Sequence, residues 1–591
     1  MIKNLTIVII FALFLLVIIS EDTRAKNVRQ PQPHHVRNVI LLIPDGTGTA
    51  HSTFARWYNG GVPLAMDEIA TGLIRTYAAD APITDSAPAA TAMATGFKTI
   101  ALYIGILPSK KQPFLWGVPD IFEEEEEKPV ATVLEAAKLA GKSVGLVATI
   151  FVEHATPAGF SAHTPFRNDF ETIAKQQVYN GIDVALSGGA KFLKKENRKD
   201  REDLAEILKK KNYQVVTNRN EMNRIVKGKV WGVFAEDDLS NDFDRDQEIE
   251  PSLEEMTTKA IQLLSKNSKG FFLMVEGSKV DWSSHKNDPV GIVSELLAFD
   301  RAVKVALNFA KKRNDTAIIV AADHNNGGFA IGSHLSDMDY QTEPLAAYLT
   351  ATKKAKHTLD YVLKEISKYA GDANKIREII TSNYIPNLTD EEFNELKKLD
   401  RDHFAYKLVS FITKRDAIAF TTSGHGGEDV PLYCYHPDFR STLRGVVLNS
   451  DIGKYIAKIL NVDLANATRE LFVPLNLNSN NSDNFNKSDK SDNSNNSIDM
   501  VKIDMTDENN PALILVKNAR SVKLPVNTNI IIVDNKEYAL PGITILNQPK
   551  LRAYVSKKAF DYLLPSTSLS GSKIGSKIGS KLKSVSSPIK K

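Results

Sequence analysis

The chain of 591 residues has a single cysteine, Cys434. One thiol excludes an intramolecular disulfide and any cysteine cluster for a metal. A metal site here has to be built from His, Asp, Glu and hydroxyl groups, donors that suit zinc and magnesium. An excess of one charge is also missing. There are 74 Lys and Arg against 71 Asp and Glu, a net charge of +3, so nothing global argues for nucleic-acid-specific binding. Long apolar runs are absent apart from Leu5 to Ile19 near the start. That run is shorter than the roughly 20 residues of a membrane-spanning helix.

Lys3 precedes this run and Ser20-Glu21-Asp22 follows it, the layout of a secretory signal. Thr23-Arg24-Ala25 offers a cleavage point after Ala25, so residues 1–25 are expected to be a signal peptide for a secreted or periplasmic protein. The alternative is an uncleaved membrane anchor. Residues 26–37, with Pro31 and Pro33, read as a flexible lead-in.

The apolar content of 42% and charged content of 25% are those of an ordinary globular protein. Buried apolar runs occur at Asn38 to Pro44, Ser143 to Ala148, Asp183 to Leu186, Gly270 to Val275 and Thr316 to Ala322. Helical stretches such as Val130 to Ala140 and Leu253 to Ser265 lie between them. The alternation predicts an α/β fold, a large, mostly parallel sheet sandwiched between helices. A catalytic domain is expected over 38–475, with a helical insertion at 355–412. Residues 476–497, rich in Asn, Ser and Asp, read as a disordered linker. Residues 498–565 alternate short β-type runs with turn signals and predict a small C-terminal β-rich module. Residues 566–591 form a basic, flexible tail with six lysines. Contact with an anionic surface is the sharper reading of that tail. The acidic run Glu123 to Glu127 reads as solvated surface.

Three of the apolar runs lead into an acidic residue, Asp45, Glu276 or Asp323. Ligands of open α/β sheets bind at the carboxyl ends of strands, where these three carboxylates can converge. Asp281 and His285 have the i, i+4 spacing that puts both on one helix face. Asp323 and His324 leave a strand end together, and His425 sits in the glycine-rich stretch Ser423-Gly424-His425-Gly426-Gly427. In Asp85-Ser86-Ala87-Pro88, Ser86 falls at an expected helix start, where free N–H groups and the helix dipole favour phosphate. Each feature alone is more often structural. Together they supply His and Asp for two zinc ions, with oxygen donors left for magnesium.

The segments "PDGTG", "DSAPAATAMATGFKT", "HATPAGFSAHTPFR", "VEGSKVDWSSH", "AADHNNGG" and "SGHGGEDVP" resemble, in order, the signature blocks of the alkaline phosphatase family. The resemblance spans about residues 38 to 450. It implies hydrolysis of phosphate monoesters through a phosphoserine at Ser86, with Arg167 facing the phosphate. It implies a first zinc on Asp281, His285 and His425, and a second on Asp45, Asp323 and His324. Magnesium would lie on Asp45, Thr156 and Glu276. It also makes a homodimer an expectation.

Two positions depart from the enterobacterial form of the family: His154 stands where that form has an aspartate, and Trp282 where it has a lysine. These third-site neighbours leave open whether that site takes magnesium or zinc. The rival readings are a phosphodiesterase or another hydrolase of the same superfamily, and a catalytically dead surface-binding protein. Every proposed ligand precedes the linker, so the C-terminal module is expected to be dispensable for catalysis.

Overall fold

The computed structural model describes residues 34–108, 127–334, 336, 338–477 and 498–564. The signal at 1–25 and the tail at 566–591 lie outside the described residues, as does most of the lead-in, the acidic run and the linker.

One sheet of ten strands forms the frame. It contains β1 (Asn38–Pro44), β2 (Ala70–Arg75), β3 (Ser143–Phe151), β4 (Val184–Gly188), β5 (Tyr213–Val216), β6 (Lys229–Val233), β7 (Phe271–Gly277) and β8 (Thr316–Ala321). The strands Val430–Tyr435 and Gly445–Leu448 complete it. The order is Gly445–Leu448, β2, Val430–Tyr435, β8, β1, β7, β3, β4, β6, β5. Val430–Tyr435 runs antiparallel to both its neighbours, and every other pairing is parallel.

Every residue of β1 and β7 is buried, as expected for parallel strands covered on both faces. Side chains alternate between two cores. Val39, Leu41, Ile43, Phe272 and Met274 join one, with Met93, Leu134 and Ile456 from the helices above. Ile40, Leu42, Leu273 and Val275 join the other, with Leu296, Phe299 and Val303 of helix Pro289–Lys311. That long helix starts on Asp288, whose carboxylate accepts from the Val290 N–H, with proline in the first turn.

The helical insertion has a core of its own, including Leu359, Ile380, Tyr384, Phe393 and Ile412. Its anchor is again Asp288, which accepts from the Tyr384 hydroxyl at 2.7 Å and the Leu359 N–H at 2.9 Å. The insertion therefore hangs from the helix that follows the Asp281–His285 segment.

The C-terminal region forms a five-stranded antiparallel meander from Met500–Asp504 to Lys536–Ala539. It is less separate than its composition suggests. Val473–Asn476 pairs with Arg552–Val555, so Asn476 is strand rather than linker. Ile543, Ile545 and Tyr554 enter the main core of the sheet. Glu127, read as solvated surface, accepts from Asn547 at 3.2 Å. The last lead-in residues are also fixed: the Val36 N–H donates to the Ile459 carbonyl at 2.8 Å, and Arg37 pairs with Asp315.

Candidate active site

The carboxyl ends of β1, β7 and β8 lie side by side and present Asp45, Glu276 and Asp323 on one edge. After Asp45 the chain turns at Gly46 with φ of +71°, and a Cβ there would come within 2.8 Å of Asp281 Oδ1. Glycine thus lets this turn approach the helix Lys279–His285. That helix follows β7 and carries Asp281 and His285 one turn apart. His51, which no motif marks, supports it. Its Nδ1 accepts from the Gly48 N–H at 3.1 Å, and its Nε2 lies 3.1 Å from Ser284 Oγ.

Ser86 opens the fully buried helix Ser86–Thr95. The run of small residues has a packing reason. A Cβ on Gly159 would meet Ala90 Cβ at 2.8 Å, so helix Ala155–Ser161 lies directly against the serine helix. Ser86 Oγ lies 3.1 Å from His324 Nε2. Arg167 pairs with the adjacent Asp85, and its Nη2 lies 3.2 Å from His154 Nε2. Burial alone would push Asp85 up, but the Arg167 charge holds it below the ordinary carboxylate value. The role of Asp85 as the partner of Arg167 was not legible in the sequence.

Two donor groups converge on this edge. Asp281, His285 and His425 form one, and Asp45, Asp281 and His324 the other, each with donor atoms within 4.8 Å of one another. The second grouping contains Asp281 where the resemblance implies Asp323. Asp323 nevertheless faces the same point, since its Oδ2 is 3.2 Å from His324 Nε2. His285 Nε2 and His425 Nε2 are 3.3 Å apart. Their Nδ1 atoms lie 2.6 Å from the Ser423 carbonyl and 2.8 Å from the Thr84 carbonyl. A carbonyl only accepts, so both Nδ1 atoms carry protons and both Nε2 lone pairs point at the shared centre.

Electrostatics agree with a site designed around positive charge. Burial, with Asp323, Asp281 and Glu276 nearby, pushes Asp45 well above the ordinary carboxylate range. Burial raises Glu276 to about 8. Asp281 is the exception: burial opposes its charge, but the surrounding imidazoles hold it well below its ordinary value. Both oxygens of Asp45, both of Glu276, Thr156 Oγ1 and Asp323 Oδ2 are buried without a hydrogen-bond partner among the described residues. Unpaired buried carboxylate oxygens are costly, and a cation is the usual remedy. The donor set therefore fits oxygen- and imidazole-binding metals.

His154 and Trp282 are brought together, their rings edge to face with centroids 6.1 Å apart. Burial, reinforced by Arg167, lowers His154 to about 3, so it is neutral and accepts from the guanidinium. It sits beside Thr156 as the residue before helix Ala155–Ser161. Trp282 places no cation near Arg167; the Lys279 amine lies 5.8 Å from its ring centroid and is tied to Asp238. His163, inside the same signature block, is not a ligand. It is buried 3.0 Å from Glu135 in an ion pair that the sequence did not signal.

A sheet that gathers carboxylates, imidazoles and a serine hydroxyl at its carboxyl edge defines a metal-assisted hydrolase of the α/β class. The alkaline phosphatase family profile matches residues 36–462. Alkaline phosphatase 4 of Bacillus subtilis is 35% identical over 459 residues, covering 74% of this chain and 92% of that protein. The crystal structure of Thermus thermophilus alkaline phosphatase superposes with a TM-score of 0.65 at 27% identity, covering 74% of this chain and 95% of that one. A histidine variant of the alkaline phosphatase from the Antarctic bacterium TAB5, with magnesium in its M3 site, superposes with a TM-score of 0.52 at 26% identity, covering 73% of this chain and 100% of that one. The chain belongs to the alkaline phosphatase family and is a phosphomonoester hydrolase.

Proposed function

We propose that the chain hydrolyses phosphate monoesters by way of a phosphorylated Ser86, with Asp281, His285 and His425 holding one zinc and Asp45, Asp323 and His324 a second. Asp45, Thr156 and Glu276 would hold magnesium, a reading supported by their unpaired buried oxygens. Bound at this edge, the ions would lower the pKa of the attacking hydroxyl or water and neutralise charge developing on the leaving oxygen.

This chain's own groups do the rest. The free N–H groups of the first turn of helix Ser86–Thr95 attract phosphate oxygens. Arg167 offers two parallel donors to the same group, and Asp85 and His154 hold its plane. Ser86 Oγ forms a bond to phosphorus as the ester P–O bond breaks and the alcohol departs. Water then attacks the phosphorus, the Oγ–P bond breaks, and phosphate is released. Small phosphomonoesters suit a site whose recognition groups all address the phosphate. The apolar N-terminal run supports export from the cytoplasm as the setting.

The observation that carries this reading is that Ser86 Oγ lies beside His324 at a helix N-terminus, with Arg167 paired to the adjacent Asp85. Ser86→Ala is expected to lose roughly 10³-fold or more of kcat, with an unchanged melting temperature. Acid-quenched wild-type enzyme should carry phosphate on the peptide containing Ser86. Phosphate on any other residue contradicts the proposal.

A further inference from the structure

A cleft of about 540 Å³ lies far from the catalytic edge, lined by Lys138, Lys211 and Lys229, with Tyr179, Tyr213 and Asn529. Its position follows from the topology. Tyr213 and Lys229 are the first residues of β5 and β6, and Gly181 lies three residues before the start of β4. These strands run parallel to β1, β7 and β3, whose carboxyl ends carry or flank the catalytic groups. The cleft therefore opens at the opposite, amino-terminal edge of the sheet. Its other wall is the C-terminal region, through Asn529, Leu540 and Pro541.

The three ammonium groups are incompletely neutralised. Lys229 has one close carboxylate, Asp183 Oδ1 at 3.3 Å, whose other oxygen already accepts from the Val144 N–H. Lys138 donates to the backbone carbonyl of Asn180, a neutral partner. Lys211 Nζ is 3.5 Å from the amide oxygen of Asn529 and 4.7 Å from the Tyr179 ring centroid. The further acids that act on the cluster are engaged or outside it. Glu135 pairs with His163, Glu202 accepts from the Tyr179 hydroxyl, and Glu537 is exposed on the meander.

Helix geometry explains part of the arrangement. Lys138 lies in the last turn of Val133–Leu139, and Lys211 follows Leu204–Lys210, where cations suit the helix dipole. Capping does not account for their mutual proximity. Lys229 opposes charge on both Lys138 and Lys211, and burial together with that repulsion pulls Lys138 down to about 8. Capping lysines commonly point into solvent, whereas these converge on one concavity with aromatic walls.

We propose that this cleft binds a small molecule carrying two or more phosphate groups, held by Lys138, Lys211 and Lys229 and by the Asn529 amide. Such an anion brings the counter-charge the cluster lacks, and two linked phosphates span separate ammonium groups. Because the far wall belongs to the C-terminal region, the ligand also ties that region to the sheet. The proposal is independent of the chemistry at Ser86.

Calorimetric titration of the metal-loaded full chain with methylenediphosphonate, which has no hydrolysable bridge, tests it. Wild type is expected to bind a second equivalent that orthovanadate, a phosphate analogue that the serine site does not turn over, does not displace. In Lys211→Gln and Lys229→Gln that equivalent should weaken about tenfold, as for loss of one charge-assisted hydrogen bond, while phosphatase activity stays at the wild-type level. Lys211→Arg should retain binding. Adenosine α,β-methylene diphosphate, run in parallel, separates the two sources. Equal affinity identifies an inorganic diphosphate as sufficient, and tighter binding identifies an organic one that uses the tyrosine walls. A wild-type chain that binds no equivalent beyond the competitively displaced one overturns the proposal. So does a second equivalent unaffected by both glutamine variants.

Discussion

The two edges of the same parallel sheet solve opposite charge problems, and a third charged group needs no outside help. At the carboxyl edge, Asp45, Glu276 and Asp323 converge, and both oxygens of Asp45, both of Glu276 and Asp323 Oδ2 are buried with no donor among the described residues. At the amino edge, three lysines converge on a cleft with one close carboxylate. The buried pair of His163 and Glu135, the latter on helix Val133–Leu139, is neutralised within the chain: His163 Nε2 faces Glu135 at 3.0 Å, and its Nδ1 donates to the Gly105 carbonyl at 2.7 Å. The comparison teaches that burial of charge is informative only when its partner is missing. In a nearly neutral chain, two unbalanced edges fit ligands of opposite charge, cations at one and an anion at the other.

Metal removal should separate the edges most clearly. Exhaustive chelation is expected to lower activity roughly 10³-fold or more and to lower the melting temperature, because like charges at the carboxyl edge lose their neutralising ions. Zinc with magnesium should restore both, and the methylenediphosphonate equivalent at the amino edge should survive. Full activity in enzyme shown by elemental analysis to be metal-free would remove the basis of the contrast.

Deleting residues after 477 probes the amino edge from the other side. It removes Ile543, Ile545 and Tyr554 from the main core and leaves Val473–Asn476 without its strand partner. At roughly 1.5–3 kcal/mol for each buried apolar side chain, the expected loss is about 5 kcal/mol. The folded fraction should keep its kcat, since every proposed catalytic group precedes the deletion. Denaturant titration and active-site-normalised turnover measure the two quantities separately. An unchanged midpoint would show that the C-terminal region is merely appended.

The internally neutralised pair gives the smallest and most pH-dependent effect. The Glu135 charge raises His163 above its ordinary value of 6.5, against the pull of burial. This contribution is complete below 6.5 and is lost as pH rises through the raised value. Glu135 is held below its ordinary value of 4.5 by His163, again against burial. Its contribution is present above 4.5 and is lost as pH falls through the depressed value. The pair thus stabilises most between those two ordinary values. His163→Leu is expected to cost about 3 kcal/mol near pH 5.5, as for breaking a buried ion pair, and less at pH 9. A cost that does not change with pH would mean that His163 acts through packing alone.

Much of the carboxyl edge was legible because each of its residues is announced locally. Apolar runs end in Asp45, Glu276 and Asp323, and helical spacing joins Asp281 to His285. The support behind those groups was not. His51 has no local pattern that ties it to Ser284, 233 positions away. The partnership of Arg167 with Asp85 spans 82 positions and depends on how helix Ser86–Thr95 packs. Composition correctly marked the C-terminal region as β-rich, but gave no sign that Tyr554 enters the main core.

By itself, then, the sequence determined the strand–helix alternation, the parallel sheet it requires, and the identity of the carboxylate, imidazole and serine groups. Those follow from residue type and short-range periodicity, which act over a few positions along the chain. Only the tertiary structure decided which donors share a centre, which nitrogen of each histidine faces it, and which charges remain unpaired. Those are matters of distance between residues hundreds of positions apart, fixed by strand order and helix packing. The lysines at 138, 211 and 229 show the difference. Along the chain they are three unremarkable surface residues; the parallel sheet and the docked C-terminal region make them one site.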